Sequence, residues 1–299
     1  MPRLIAVMGP TASGKTILAE EIADRTGAQL VNADAFQVYK GLDIGTGKPV
    51  DKERYELLDI CEPEEQFGVG AFVRLAGEIA VRCYAKGQDV VVVGGTGLYI
   101  RALLEGYSQL GAKPDPAVRA GLEAEEAANP GTLAKRLLDL EPDTAVDLKN
   151  PVRVRRRLEI LAEPMTVKPV YLPKFRKTKI GLELPAEVLR EVIARRVYAM
   201  LEAGWLAEVR TLIESGVSSH SPAFRAIGYR LLASVIGGET HLQEATERIV
   251  LDTVQYAKRQ RTWLRSEPGL ARIEMGSPFS AVGSTDVQDL VRSVLGRSR

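Results

Sequence analysis

The chain has 299 residues, of which 45% are apolar and 26% charged, and its 40 basic and 39 acidic side chains leave a formal charge of +1. That length suits one large domain or one domain with a substantial insertion, and the composition excludes intrinsic disorder and collagen-like repeats. Two cysteines, Cys61 and Cys83, and two histidines, His220 and His241, supply neither a disulfide framework nor zinc-finger spacing, so a reducing, cytoplasmic setting is expected.

In chain order, Leu4-Ile5-Ala6-Val7-Met8 reads as a strand closed by Gly9 and Pro10. Residues 15–24 place Ile17, Leu18 and Ile22 on one helical face, and residues 29–34 return to a strand-like run, which makes a βαβ unit. A helix is predicted over 70–86. Four consecutive valines, 90–93, then suit a strand buried on both faces of a parallel sheet. From about residue 113 the texture is helical and charged, with helices predicted over 116–129, 132–140 and 150–163. A basic connector, 164–179, carries Pro164, Pro169 and Pro173, and residues 180–184 read as a strand rejoining the sheet. The chain is therefore divided into an α/β core with C-terminal helices (1–112 and 179–299) and a helical insertion (113–178). Further helices are predicted over 185–203, 205–215, 224–237 and 241–265, before a weak tail expected to be partly mobile. No apolar run reaches the length of a membrane span, and the first eight residues lack the features of a signal peptide, so no membrane partner or export is expected. A monomer is the default, since no heptad pattern is present.

Charge is concentrated. Residues 149–179 hold ten basic and two acidic side chains, a local +8, against −7 for the rest of the chain. Such segregation suits a polyanion held locally, or else a solvated face on a helical hairpin.

The stretch GPTASGKT at 9–16 fits G-x-x-x-x-G-K-[ST] between a predicted strand and a predicted helix. Backbone amides from Gly9, Thr11, Ala12, Ser13 and Gly14 would converge on phosphate oxygens; Lys15 adds a point charge, and the Thr16 hydroxyl suits a Mg²⁺ shell. This is a diphosphate- or triphosphate-binding loop of the P-loop nucleotide-binding (ATP-binding) kind, and it does not by itself imply hydrolysis. P-loop NTPases hold Mg²⁺ with an aspartate at another strand end, yet the valine strand runs into Gly94-Gly95-Thr96-Gly97. The nearest strand-end carboxylate is Asp34, which parallel-sheet geometry places at the same crevice, unless it serves as a helix cap. Thr96 faces that edge too, or else closes a tight turn. Arg225, between a Ser/Pro loop and a helix, suits a guanidinium closing over phosphate, or a plain surface arginine. Trp263, embedded in the basic segment Lys258-Arg259-Gln260-Arg261, would pack against a cation.

Taken together, GPTASGKT (9–16), NADAFQVYKGLDIGTGKP (32–49), GGTGLYIRALLEG (94–106), FRAIGYR (224–230) and YAKRQRTWLR (256–265) resemble the bacterial tRNA dimethylallyltransferase, or tRNA isopentenyltransferase, family. The resemblance spans residues 4–265 and implies a P-loop NTPase-like α/β core with a parallel sheet and a helical insertion that grips a tRNA anticodon stem-loop. It implies dimethylallyl diphosphate as donor and Mg²⁺ as cofactor. It also implies Asp34 as general base, with Lys15, Thr16 and Arg225 holding the diphosphate and Thr96 at the catalytic channel. The tRNA-facing positions it implies are Asp34, Ala35, Phe36, Gln37, Thr96, Arg119, Val152, Arg153, Val154, Arg155 and Arg156. Two departures stand out: Ala35 replaces the family's usual Ser after the catalytic Asp, and residues 148–151 differ from the form common in relatives. A P-loop kinase for a nucleotide or small metabolite is the competing enzyme class, and it leaves the basic insertion without a task.

Overall fold

In this computed structural model the described residues are 1–106, 115–162, 171–279 and 285–296. Strand β1 (Arg3–Met8) leads into α1 (Lys15–Thr26), β2 (Gln29–Asn32), the two-residue β3 (Tyr55–Glu56), α2 (Val69–Ala85), β4 (Val90–Gly94) and α3 (Gly97–Glu105). Three helices follow, α4 (Pro116–Ala128), α5 (Thr132–Leu140) and α6 (Pro151–Ala162). The chain then continues through β5 (Arg176–Glu183), α7 (Ala186–Glu202), α8 (Trp205–Glu214), α9 (Tyr229–Ile236), α10 (Leu242–Arg265), β6 (Leu270–Glu274) and α11 (Thr285–Gly296).

The strands form one sheet in the order β3-β2-β4-β1-β5-β6, and every pairing is parallel. All five residues of β4 are buried, as the valine run predicted. Ile5 and Val7 pair with Val91 and Val93, and these side chains share a core with Leu18 and Ile22 of α1 and Val287 and Val291 of α11. A second core joins Ile193 and Val197 of α7 to Trp205, Phe224 and Tyr229. Each such fully buried side chain contributes about 1.5–3 kcal/mol. Among the described residues no helix is long and apolar enough to cross a membrane.

Contacts divide the chain into two units, Met1–Glu105 with Tyr171–Arg299, and Gly106–Val170. The predicted connector over 164–179 is therefore only partly a connector. Pro164, Pro169 and Lys168 lie outside the described residues, but Arg176, Lys177 and Lys179 are in β5, paired with Arg3, Leu4 and Ala6 of β1. The Lys179 ammonium bonds the Glu267 carboxylate at 2.6 Å and also that of Glu105, while Lys177 donates to the Leu104 carbonyl. These cations belong to the sheet.

Three further expectations are corrected. Residues 224–237 are not one helix: a 3₁₀ turn, Ala223–Arg225, is separated from α9 by Gly228 at φ 92°, a conformation no regular helix contains. Helix α3, where no helix is predicted, begins at Gly97 inside the glycine-rich stretch. The tail contains β6, paired along β5, and α11, whose Val287 and Val291 are fully buried.

In the helical unit, α4, α5 and α6 pack around Leu122, Leu133, Leu137, Val154 and Leu158. Asp115 caps α4 by accepting from the Ala117 amide at 2.6 Å. Arg119 bonds both oxygens of Glu159, at 2.8 and 3.1 Å, and Arg156 adds a contact at 3.0 Å. Arg155 pairs with Glu123 at 2.6 Å, and Arg157 with Glu141.

Candidate active site

The site grows from the carboxyl ends of β1, β2 and β4. After β1 the loop turns through Ala12 at φ 64° and Gly14 at φ 81°, and α1 starts at Lys15 with no side chain among the described residues capping its amides. A helix N-terminus beside a lysine ammonium suits an anion. Thr11, Lys15 and Thr16 line a cavity of about 340 Å³. The Ser13 hydroxyl is buried with no hydrogen-bond partner among the described residues, and Ser13, Gly9, Ala12 and Gly14 lie in the loop without lining the cavity. Burial, and then the nearby Arg196 guanidinium, bring the Lys15 pKa down to about 8, with Asp34 opposing.

Asp34 follows β2 and lines the same cavity. Its amide donates to Asn32 Oδ1 at 3.1 Å, and its Oδ1 accepts from the Phe36 amide at 2.9 Å, which fixes the carboxylate's orientation. The two strand ends touch: Ala33 donates to the Val93 carbonyl at 2.8 Å, and Thr96 donates to the Ala33 carbonyl at 3.3 Å. A β-carbon on Gly94 would lie 2.2 Å from the Ala33 oxygen, so only glycine lets β4 finish here. The Thr96 hydroxyl accepts from the Ala35 amide at 3.2 Å and lies near the Tyr256 phenol. Burial, followed by the Asp34 charge, pushes the Tyr256 pKa up, which keeps that phenol neutral.

Helix α10 ties the loops together. Gln260 accepts from the Thr11 amide at 2.8 Å and donates to the Gly95 carbonyl at 3.0 Å, bridging the phosphate loop and the end of β4. Arg225 reaches the cavity from the 3₁₀ turn; its guanidinium bonds Gln66 Oε1 at 3.2 Å and the Pro222 carbonyl at 3.3 Å. Arg196 of α7 and Arg259 of α10 also line the cavity, in which Asp34 is the one acidic side chain among the described residues.

The sequence-predicted residues Lys15, Thr16, Asp34, Phe36, Gln37 and Arg225 thus meet in one place, with Thr96 and Ala35 bonded beside it. Gln37 spends its amide on the Thr46 and Gly47 carbonyls, at 3.0 and 3.1 Å. Trp263 packs beneath the Arg101 guanidinium, 4.2 Å from the ring centre. Arg119 and residues 152–156 belong to the helical unit. There Val152 and Arg153 are exposed, Arg153 forms no ion pair among the described residues, and Val154 is 1% exposed. Val154 is corrected from a tRNA-facing position to a core residue: on α6 it points into the apolar cluster.

Sequence reasoning missed Arg196, Tyr256 and Gln260. The spacing of Tyr256 and Gln260, one helical turn apart in YAKRQRTWLR, was a usable signal; Arg196 stands in no motif.

A family model described as IPP transferase matches residues 37–267, and one described as isopentenyl transferase matches residues 2–60. A protein named tRNA dimethylallyltransferase from Anaeromyxobacter sp. (strain K) is 42% identical, over 98% of this chain and 97% of its own length. One of the same name from Geobacter metallireducens is 37% identical, over 95% and 96%. Among solved structures, the tRNA isopentenylpyrophosphate transferase of Bacillus halodurans aligns over 100% of this chain and 97% of its own, with a TM-score of 0.72 and 30% identity. A eukaryotic dimethylallyltransferase acting on tRNA shares the fold, with a TM-score of 0.79 at 22% identity, over 99% of this chain and 80% of its own. On its motifs, its sheet and these matches, the chain belongs to the IPP transferase family.

Proposed function

We propose that the protein transfers a dimethylallyl group from dimethylallyl diphosphate to the exocyclic amine of the adenosine 3′ of a tRNA anticodon. The observation that carries this reading is the meeting of Asp34 with Lys15, Arg196 and Arg225 in one cavity, beside a β4 that ends in Gly94-Gly95-Thr96. Breaking the allylic C–O bond drives negative charge onto the diphosphate. Lys15, the loop amides and Arg225 stabilise that charge more in the transition state than in the ground state. The adenine amine is a weak nucleophile because its lone pair is delocalised into the ring, and it loses a proton as the C–N bond forms. Asp34, oriented by the Phe36 amide, accepts that proton.

Among the described residues no three His, Cys, Asp or Glu side chains cluster as a metal cage, while the Thr16 hydroxyl lines the cavity. A threonine hydroxyl beside a phosphate-binding loop suits Mg²⁺, which takes few protein ligands and completes its shell with water and substrate phosphate. Thr16 would hold the ion together with donor phosphate oxygens, and the ion would add positive charge at the leaving group.

An allylic centre with cationic character reacts with water, so the acceptor base must enter the cavity and displace solvent. Extruding a base costs a few kcal/mol, and less from a single-stranded loop, which favours an anticodon loop as substrate. In the helical unit, exposed Arg153 offers a contact to the stem backbone. The test is to incubate the protein with Mg²⁺, labelled dimethylallyl diphosphate and either unmodified tRNA or AMP. Label on tRNA alone is the expected result. Label on AMP alone would make it a free-nucleotide prenyltransferase, and phosphate transfer from ATP without prenyl transfer would make it a kinase.

A further inference from the structure

Helix α7 gives the cavity a wall that the phosphate loop and the strand ends do not account for. Ile193, Arg196, Val197 and Met200 line it, at the spacing of a single helical stripe. Ile193 and Val197 are almost fully buried, and Met200 is half-buried. Arg196 stands among them, half-buried and without an ion pair among the described residues. Its guanidinium lies against Gly47: a β-carbon there would sit 1.9 Å from Arg196 Nη2 and 3.1 Å from Met200 Cε. Gly47, at φ +61°, thus lets the loop close over both side chains.

The electrostatics point the same way. Burial lowers the Arg196 pKa and the Asp34 charge opposes that fall, while Arg196 itself helps to lower that of Lys15. Two cations that repel each other in a partly dry cavity, with one carboxylate beside them, suit an anion bearing more than one charge. Along α7, Met200 lies about 6 Å beyond Arg196. A donor with a diphosphate head and a short branched tail has the same polarity along its length.

We propose that α7 reads the prenyl donor: Arg196 grips the diphosphate across from Lys15, and Ile193, Val197 and Met200 wall the isoprenyl tail and set its length. This rests on the reading of function above and extends it to donor selection. Arg196 is a binding residue for the leaving group. Met200, a flexible thioether at the end of the stripe, is the stop whose truncation lengthens the slot.

Two measurements test it. In calorimetry with Mg²⁺ and inorganic pyrophosphate on the full chain, Arg196→Ala should bind about tenfold more weakly than the unaltered protein, and Arg196→Lys should recover part of that loss. Thermal melts identify any variant that fails to fold. Equal pyrophosphate affinity in a folded Arg196→Ala protein overturns the anion role. With tRNA as acceptor, Met200→Ala should raise the kcat/KM ratio of geranyl to dimethylallyl diphosphate by about tenfold. An unchanged ratio in the folded variant overturns the length-setting role. Failure of the unaltered protein to transfer either prenyl group would remove the reading of function and the length-setting role with it, while the pyrophosphate comparison would still decide Arg196 separately.

Discussion

In the helical unit, Glu159, with 3% of its side chain exposed, collects Arg119 and Arg156, while Arg155 and Arg157 face Glu123 and Glu141. Around the cavity of the sheet unit, Lys15, Arg196, Arg225 and Arg259 have one acidic side chain for company among the described residues, Asp34. The first arrangement neutralises charge within the unit and holds helices to one another. The second leaves Lys15 and Arg196 part-buried with no carboxylate bonded to them among the described residues, which is costly without a ligand and useful with one. Within the segment of highest net charge, then, several arginines are already held by carboxylates of the same unit. Chemistry is to be sought where charge lacks a partner, and packing where it has one.

The largest effect expected from this contrast is at Asp34. Asp34→Asn keeps the shape and can still accept from the Phe36 amide, but it cannot take a proton from the acceptor amine. Turnover should fall by about 10²–10⁴, with tRNA affinity almost unchanged. Steady-state kcat with labelled donor, beside a direct tRNA-binding measurement, checks this; a matching loss in affinity would make Asp34 a binding group.

Removing a paired charge should act on stability instead. Glu159→Ala leaves Arg119 and Arg156 without their shared acceptor and should cost the helical unit about 1–3 kcal/mol, read by hydrogen exchange in α4 and α6. The pH dependence follows from the same contacts. Burial works against the Glu159 carboxylate, but hydrogen bonds from Arg119 and Arg156 outweigh it and hold the pKa below the ordinary 4.5. The stabilisation is thus complete above pH 4.5 and is lost as pH falls through the lower folded-state value. Exchange protection in the helical unit should drop on acidification in the unaltered protein and drop less in Glu159→Gln. Equal acid sensitivity in both would assign the effect to other carboxylates.

What could be read from sequence follows from how local each signal is. The valines of β4 and the stretch Gly9 to Thr16 carry their meaning within a few residues, and both lie where pattern and spacing put them. The two-residue β3 and the half-exposed edge strand β6 have no periodicity to detect. Helix α3 was hidden because its first turn overlaps glycines that bring β4 against Ala33. Asp34 could be placed because a parallel sheet sends strand ends to one edge. The Gln260 bridge could not, since its partner Thr11 is 249 residues away and only the folded chain brings them together. A charge count along the chain has the same limit: it includes Glu159 and Lys179 but does not show Glu159 beneath its arginines or Lys179 beside Glu267.

The smallest effect divides two arginines that sequence alone treats alike. Arg153 and Arg156 both lie on α6, but Arg153 is exposed without an ion pair among the described residues, whereas Arg156 is bonded to Glu159 at 3.0 Å. A free cation that meets a phosphate releases counterions, so Arg153→Ala should flatten the log–log salt dependence of tRNA binding by about 0.7–0.9. Arg156 already shares its charge with a carboxylate and displaces fewer ions, so Arg156→Ala should change that slope by less and lower the stability of the helical unit instead. Binding titrations across a range of salt concentrations, run beside thermal melts, separate the two. Identical slope changes would mean that Glu159 releases Arg156 when RNA arrives, and the pairing seen in α6 would then be a resting arrangement rather than a permanent one.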